Sequence, residues 1–339
     1  MTLEAERPRA YGADAYEFRT YLAGDEHELV ALFNRVFRSA PDAEPRSLAE
    51  WRWTFLESPG GFRLWLALAR GAIVAQSAGI GYRVECDGRA THFSQSVDSL
   101  VHPDHRGGLK HPGLFVRTVE PYIAAYGAHP DLVFFGWPNR AAARIGSAFL
   151  GYERLRRQEW LVRALGADAP GFPNDVRRLR RLPADCPVDA LWSRCARHFG
   201  ASVIRDAAFL RWRFERSPAR RYEWLALGGA RPAGLVALGL SHQPFPRTLV
   251  LSDWLVPEDE PAAGAVLLAA ARARAAELGV EGIVALFPPW SAWSERFRAA
   301  GFRTHASDAW LTVRSHCAAY DVSWLREHWW YQPAESDWI

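Results

Sequence analysis

The stretch Arg106-Gly107-Gly108-Leu109-Lys110-His111-Pro112-Gly113 combines two kinds of group that suit an anion. Arg106 and Lys110 supply cationic donors beside His105 and His111, and the glycines let the main chain approach a ligand closely. A helical apolar periodicity begins at Gly113-Leu114, so the first backbone N–H groups of that helix face the loop and can hold a pyrophosphate. His102, His105 and His111 also invite a metal reading, because His-x-x-His can bring two imidazoles together. Their spacing straddles Pro103 and a turn, with Asp104 as the nearby carboxylate, so no metal is expected and phosphate contact is the simpler role.

The chain that must position these groups has 339 residues, enough for two domains. Hydrophobic residues at 49% and charged residues at 23% describe a globular protein and exclude a disordered one. A net charge of +3 is too small to imply a nucleic-acid or membrane partner. Lys110 is the sole lysine, so arginine fills the ordinary surface positions and any one arginine is weak evidence for a phosphate. Cys86, Cys186, Cys195 and Cys317 form no C-x-x-C pair, which gives neither a zinc site nor a disulfide framework. The polar first ten residues and the lack of an 18-residue apolar run lead to an expected cytoplasmic location.

An internal repeat sets the organisation. Trp51-Arg-Trp-Thr-Phe-Leu-Glu-Ser-Pro59 matches Leu210-Arg-Trp-Arg-Phe-Glu-Arg-Ser-Pro218 at five of nine positions, at an offset of 159. Trp65-Leu-Ala-Leu68 recurs as Trp224-Leu-Ala-Leu227. Asp98-Ser-Leu-Val101 resembles Asp253-Trp-Leu-Val256, and Pro138 to Gly151 has the same spacing as Pro288 to Gly301. Each half reads as a helix, strands, a long helix, a strand and a helix, which predicts two mixed α/β modules with helices flanking a mixed sheet. The long helices fall at 113–126 and 262–278, and the later strand and helix at 132–137 and 139–150 in the first half. The Pro- and Gly-rich stretch 166–187 is the linker candidate, giving domains 1–165 and 188–320 and an unrepeated aromatic tail, 321–339. Trp51, Trp53 and Trp212, at or next to repeated positions, are expected to be packing residues.

The strand ending Val101-His102-Pro103, followed by Arg106-Gly107, a glycine-containing turn and a helix, resembles the acyl-CoA-binding core of the GNAT N-acyltransferase superfamily. The strand into Pro138-Asn139, the helix from Arg140 and its Gly151-Tyr152 ending resemble the later elements of that family. With the repeat, nearly the whole chain resembles a tandem GNAT protein. The family loop reads R-x-x-G-x-G, whereas Leu109 and His111 stand at its glycine positions, so the loop is read as the same turn with a short insertion. The second module has Glu258-Asp259-Glu260 at this place and is five residues shorter, which implies one cofactor site, in the first module.

The resemblance implies acetyl-CoA or another acyl-CoA as co-substrate, held by Leu100, Val101, Arg106, Gly107, Gly108, Lys110, Gly113, Leu114 and Asn139. It places backbone amides near Leu100 and Val101 at the thioester carbonyl, with Asp98 as the first candidate base and Glu85 or His92 as others. The family tyrosine before the helix-ending glycine is replaced by Ser147, which leaves Tyr152 or water to protonate the thiolate. The expected function is an N-acetyltransferase acting on a primary amine of a small metabolite or amino sugar. Two other classes stay open, a Fem-type transferase using aminoacyl-tRNA and a non-catalytic binding or regulatory module. The weak net charge counts against the first, and the interrupted loop supports the second.

Overall fold

The computed structural model describes residues 15–37, 44–106, 112–166, 170–229, 231–241 and 245–336. In chain order it contains β1 (Glu17–Thr20), α1 (Glu26–Phe37), α2 (Leu48–Phe55), β2 (Phe62–Ala69), β3 (Ala72–Cys86), β4 (Arg89–Val101), α3 (Leu114–Tyr126), β5 (Asp131–Gly136) and α4 (Arg140–Phe149). There follow β6 (Glu153–Ala164), β7 (Val176–Leu179), α5 (Val188–Ala196), β8 (Ala201–Val203), α6 (Ala207–Leu210), β9 (Glu223–Leu227), β10 (Gly234–Ser241) and β11 (Thr248–Leu255). The chain closes with α7 (Pro261–Glu277), β12 (Gly282–Ala285), α8 (Ala292–Ala299), β13 (Arg303–Ser315), α9 (Val322–His328) and β14 (Trp329–Trp330). The fold class is mixed α/β. None of the described helices is long and apolar enough to cross a membrane.

The chain divides into two compact units that are not contiguous in sequence. The first takes residues up to Gly81, His92–Glu153 and Thr312–Cys317, and the second takes Tyr82–Thr91, Arg154–Leu311 and the residues from Ala318 onward. In the first unit β1, β2 and β3 run antiparallel, β4 follows, β5 lies parallel to β4, and the end of β13 pairs antiparallel with β5. In the second unit β7, β9, β10 and β11 run antiparallel, β12 lies parallel to β11, and β6 pairs antiparallel with β12. The parallel pair in each unit requires a crossover, supplied by α3 and α7.

The repeat therefore appears with its last strands exchanged. β6 follows the first-half helix α4 yet pairs in the second unit, while β13 follows α8 and pairs in the first. The helix ends are held alike. Gly151 and Gly301 adopt left-handed backbone at φ 65° and 90°, as a helix-terminating residue must, and glycine does so without a Cβ clash. Arg314 on β13 then donates to the Leu150 carbonyl, and Arg163 on β6 donates to the Ala300 carbonyl. The 166–187 stretch is not solely a connection, since it contains β7, which adds an edge strand through Val176, 5% exposed.

The aromatic tail packs as core of the second unit. Trp329, Trp330, Tyr331, Ala334 and Glu335 are buried, and Phe199 stacks on Trp330 with ring centroids 4.3 Å apart.

Candidate functional site

The site begins with a divergence of two strands. β4 and β5 pair from His92/Asp131 to Gln95/Phe135, and the register ends there although β4 continues to Val101. Gly136 closes the junction, since a Cβ on it would stand 2.9 Å from the Ser96 carbonyl oxygen. Two residues on, Asp98 takes a left-handed φ of 50°, a conformation that Asp tolerates better than bulkier residues. Its carbonyl accepts from Gln76 Nε2 at 2.7 Å, which holds this kink against β3.

Past the kink, Ser99, Leu100 and Val101 line a cleft of about 360 Å³. Its other walls are Gly113–Val116 at the start of α3, Asn139, Ala141, Ala142, Ile145 and Phe149 of α4 and its cap, and Val36 and Phe37 at the end of α1. Each wall follows from local sequence. Gly113 opens α3 with no side-chain cap and no acidic residue in the first turn, leaving that helix end positive. Asn139 opens α4, its side-chain oxygen accepting from the Ala142 N–H at 2.9 Å. Arg106 stands on the rim, and its Nε donates to the Val101 carbonyl at 3.0 Å. Apart from Ser99, the rest of the lining has no polar side chain, and Phe37 and Phe149 remain 40% and 54% exposed. The cleft suits a long ligand with an apolar arm and an anionic group near Arg106 and the α3 terminus.

Six residues singled out from the sequence, Leu100, Val101, Arg106, Gly113, Leu114 and Asn139, meet at this cleft. Gly107, Gly108 and Lys110 lie outside the described residues. Asp98 and Tyr152 are placed off the cleft lining. The Asp98 carboxylate pairs with Arg46, which also donates to Thr54 Oγ1 at 3.0 Å. Tyr152 lies behind α4, its ring against Gly146, where a Cβ would sit 2.1 Å from the ring. Burial pushes the Tyr152 phenol up to about 12, so it holds its proton at neutral pH. His102 and His105 sit in the turn after β4, where burial lowers both below the usual histidine value, and the His105 ring nitrogen lies 3.1 Å from the Tyr16 hydroxyl.

The Asp98 pairing recurs. In the second unit Arg205, at the offset of 159 from Arg46, binds Asp253 at 3.0 Å. The register between β10 and β11 slips beside Asp253, as β4 kinks at Asp98. In both units the arginine precedes a helix-capping residue, Ser47 for α2 and Asp206 for α6. The second pair is completely buried and gains a second carboxylate, Glu335, whose Oε1 accepts from Arg205 at 2.6 Å. Burial raises both Asp253 and Glu335 above their ordinary range, against the opposing pull of the Arg205 guanidinium.

The counterpart of the cleft in the second unit is filled from within. Trp293 lies over Gly264, where a Cβ would stand 2.1 Å from the indole, and its Nε1 donates to the Val256 carbonyl at 3.0 Å. At the offset of 150 this tryptophan replaces Ala143, in the alanine run that opens α4. Gln332 Oε1 accepts from the Trp254 N–H at 2.6 Å, and Trp254 corresponds to Ser99. Glu258 accepts from Ser291 Oγ and the Ala292 N–H at 2.6 and 3.0 Å, occupying the start of α8.

No protein-family model matches the chain, and no curated protein matches it. Solved structures do. An Enterococcus faecalis protein described as a probable N-acyltransferase aligns at a TM-score of 0.64 and 12% identity, over 88% of this chain and 72% of its own. A tandem GNAT protein from the clavulanic acid biosynthesis pathway aligns at 0.57 and 15%, over 89% and 99%. Saccharomyces cerevisiae N-myristoyltransferase, solved with myristoyl-CoA and inhibitors, aligns at 0.57 and 11%, over 91% and 81%. The chain has a tandem GNAT fold.

Proposed function

We propose that the first unit binds an acyl-CoA and that the chain transfers the acyl group to a primary amine of a small metabolite or amino sugar. The observation that carries this reading is the apolar cleft beside the β4–β5 divergence, open in the first unit and filled by Trp293 in the second. Its apolar walls suit a pantetheine arm, and the uncapped α3 terminus with Arg106 suits the pyrophosphate. Similar structures described as N-acyltransferases and as holding myristoyl-CoA support the same assignment.

In the reaction, the neutral amine nitrogen attacks the thioester carbonyl and forms the C–N bond. The resulting oxyanion is stabilised by β4 backbone N–H groups near Leu100 and Val101, donors that need no side chain. Collapse breaks the C–S bond, and the proton lost by the amine balances the one taken by the thiolate through solvent. We assign Asp98 a positioning role through Arg46, because its carboxylate is already paired and the pair is duplicated beside the filled cleft.

Calorimetric titration with CoA, acetyl-CoA and longer acyl-CoAs tests the reading. Saturable binding, weakened about tenfold in Arg106→Ala by loss of a charged phosphate contact, is expected, since a charge-assisted hydrogen bond contributes about 1.5–3 kcal/mol. Absence of binding by every acyl-CoA would overturn it. Binding without transfer to any amine in a broad acceptor screen would favour the non-catalytic reading, which the engagement of Asp98 by Arg46 also favours.

A further inference from the structure

The second unit contains a cavity that acyl transfer leaves unused. It lies where the ends of β7, β9, β10 and β11 meet the C-terminal end of α7, and has a volume of about 550 Å³. A recess of about 160 Å³ shares Arg220, Arg221, Tyr222 and Gly239 with it. Arg180, Arg181, Arg220 and Arg221 stand on its wall, and none of the four has a hydrogen-bond or ion-pair partner among the described residues.

Arginine is the ordinary surface cation of this chain, so four guanidinium groups alone would decide little. The floor supplies an independent observation. The hydroxyls of Tyr222 and Ser252 are buried without a hydrogen-bond partner, and Ser252 is 0% exposed. Buried hydroxyls are ordinarily satisfied, so two orphaned donors in one recess mark a place where an acceptor belongs. Gly239 leaves them room, since a Cβ there would stand 2.9 Å from the Tyr222 ring and 3.0 Å from Ser252 Oγ. Of the two wall carboxylates, one is paired with a cation and the other is held by a backbone amide. Glu215 accepts from the Leu182 N–H at 2.6 Å, and Glu223 accepts from Arg274 at 2.8 Å.

We propose that this cavity binds a small phosphorylated metabolite. Its phosphate oxygens would accept from the planar guanidinium forks and from the two floor hydroxyls, a donor set of four cations against one carboxylate, Glu215, that has no cationic partner among the described residues. The volume fits a sugar phosphate or mononucleotide. A concave site with donors at its base favours such a ligand over a nucleic-acid backbone, which tracks an open basic ridge.

Calorimetric titration of the full chain with ribose 5-phosphate and with uridine monophosphate, at physiological ionic strength, tests the proposal. Saturable binding of at least one probe is expected, weakened tenfold or more in Arg220→Ala/Arg221→Ala and in Tyr222→Phe/Ser252→Ala. Arg106→Ala should leave it unchanged, which separates this site from the acyl-CoA cleft. Thermal unfolding of each variant without ligand checks the fold, and Arg180→Ala/Arg181→Ala replaces the first pair if that variant is unfolded. The proposal is overturned by no binding, by binding that survives loss of the hydroxyls, or by binding lost only in Arg106→Ala.

Discussion

Replacing Asp98 by asparagine separates a catalytic base from a buried tie, and its counterpart Asp253→Asn calibrates the result. Asp98 and Arg46 have side chains 14% and 15% exposed, so losing the carboxylate charge leaves a guanidinium that water partly reaches. A charged hydrogen bond in that setting contributes about 1.5–3 kcal/mol, and partial solvation puts Asp98→Asn toward 1–2 kcal/mol. Arg205 has no exposed surface, and breaking a buried pair costs about 3–5 kcal/mol. Glu335 still neutralises Arg205 in Asp253→Asn, which places that cost near the lower bound, about 3 kcal/mol. Urea unfolding of the two single variants and the double variant, each alongside an acyl-transfer assay that follows release of the CoA thiol, measures stability and transfer together. The expected order is a larger loss for Asp253→Asn, and for Asp98→Asn a stability loss with transfer reduced but retained. An unchanged unfolding midpoint together with abolished transfer in Asp98→Asn would refute the positioning role and restore Asp98 as the base.

Trp293→Ala should destabilise the chain by about 3–5 kcal/mol, because it empties a buried site and orphans the Val256 carbonyl; a urea-unfolding loss below about 1 kcal/mol would show that the indole does not fill the second cleft. Hydrogen bonds from Tyr21 and Arg52 hold the Glu26 carboxylate down at about 2, so its contribution is complete above the ordinary glutamate range near 4.5 and is lost as pH falls toward 2. Glu26→Gln should therefore flatten the acid limb of the stability profile, by about 1–2 kcal/mol after screening at the half-exposed Arg52, and an acid limb identical to wild type would contradict this.

The first-unit cleft was legible where its walls come from neighbours in sequence. The strand to Val101, the turn at Arg106, the Gly113 helix start and the Asn139 cap each carry a local signal, and all four meet at the cleft. What escaped depends on long-range packing. Phe37 comes from α1, where helical periodicity marks it as core, yet it is 40% exposed and lines the cleft. Arg46 lies 52 residues from Asp98, and no spacing rule joins them. The exchange of β6 and β13 was hidden because β6 reads Glu-Arg-Leu-Arg-Arg-Gln-Glu, charges that obscure its alternation of inward and outward residues. The repeat could have exposed part of this, since Arg46/Arg205 and Ala143/Trp293 fall at its offsets. The tail carries polar residues that suit a surface, but Gln332 Oε1 and the Glu335 carboxylate accept internally from the Trp254 N–H and from Arg205.

The open cleft in the first unit is tested most directly by filling it with an indole from the cleft-lining residue next to Ala143, the counterpart of Trp293. Ala142 lines the cleft and its N–H caps onto Asn139, so Ala142→Trp adds an indole without removing that bond. Acyl-CoA binding by calorimetry should be saturable in the wild-type chain and lost in Ala142→Trp, with the urea midpoint unchanged. Equal binding in the two proteins would contradict the assignment of this cleft to the acyl donor.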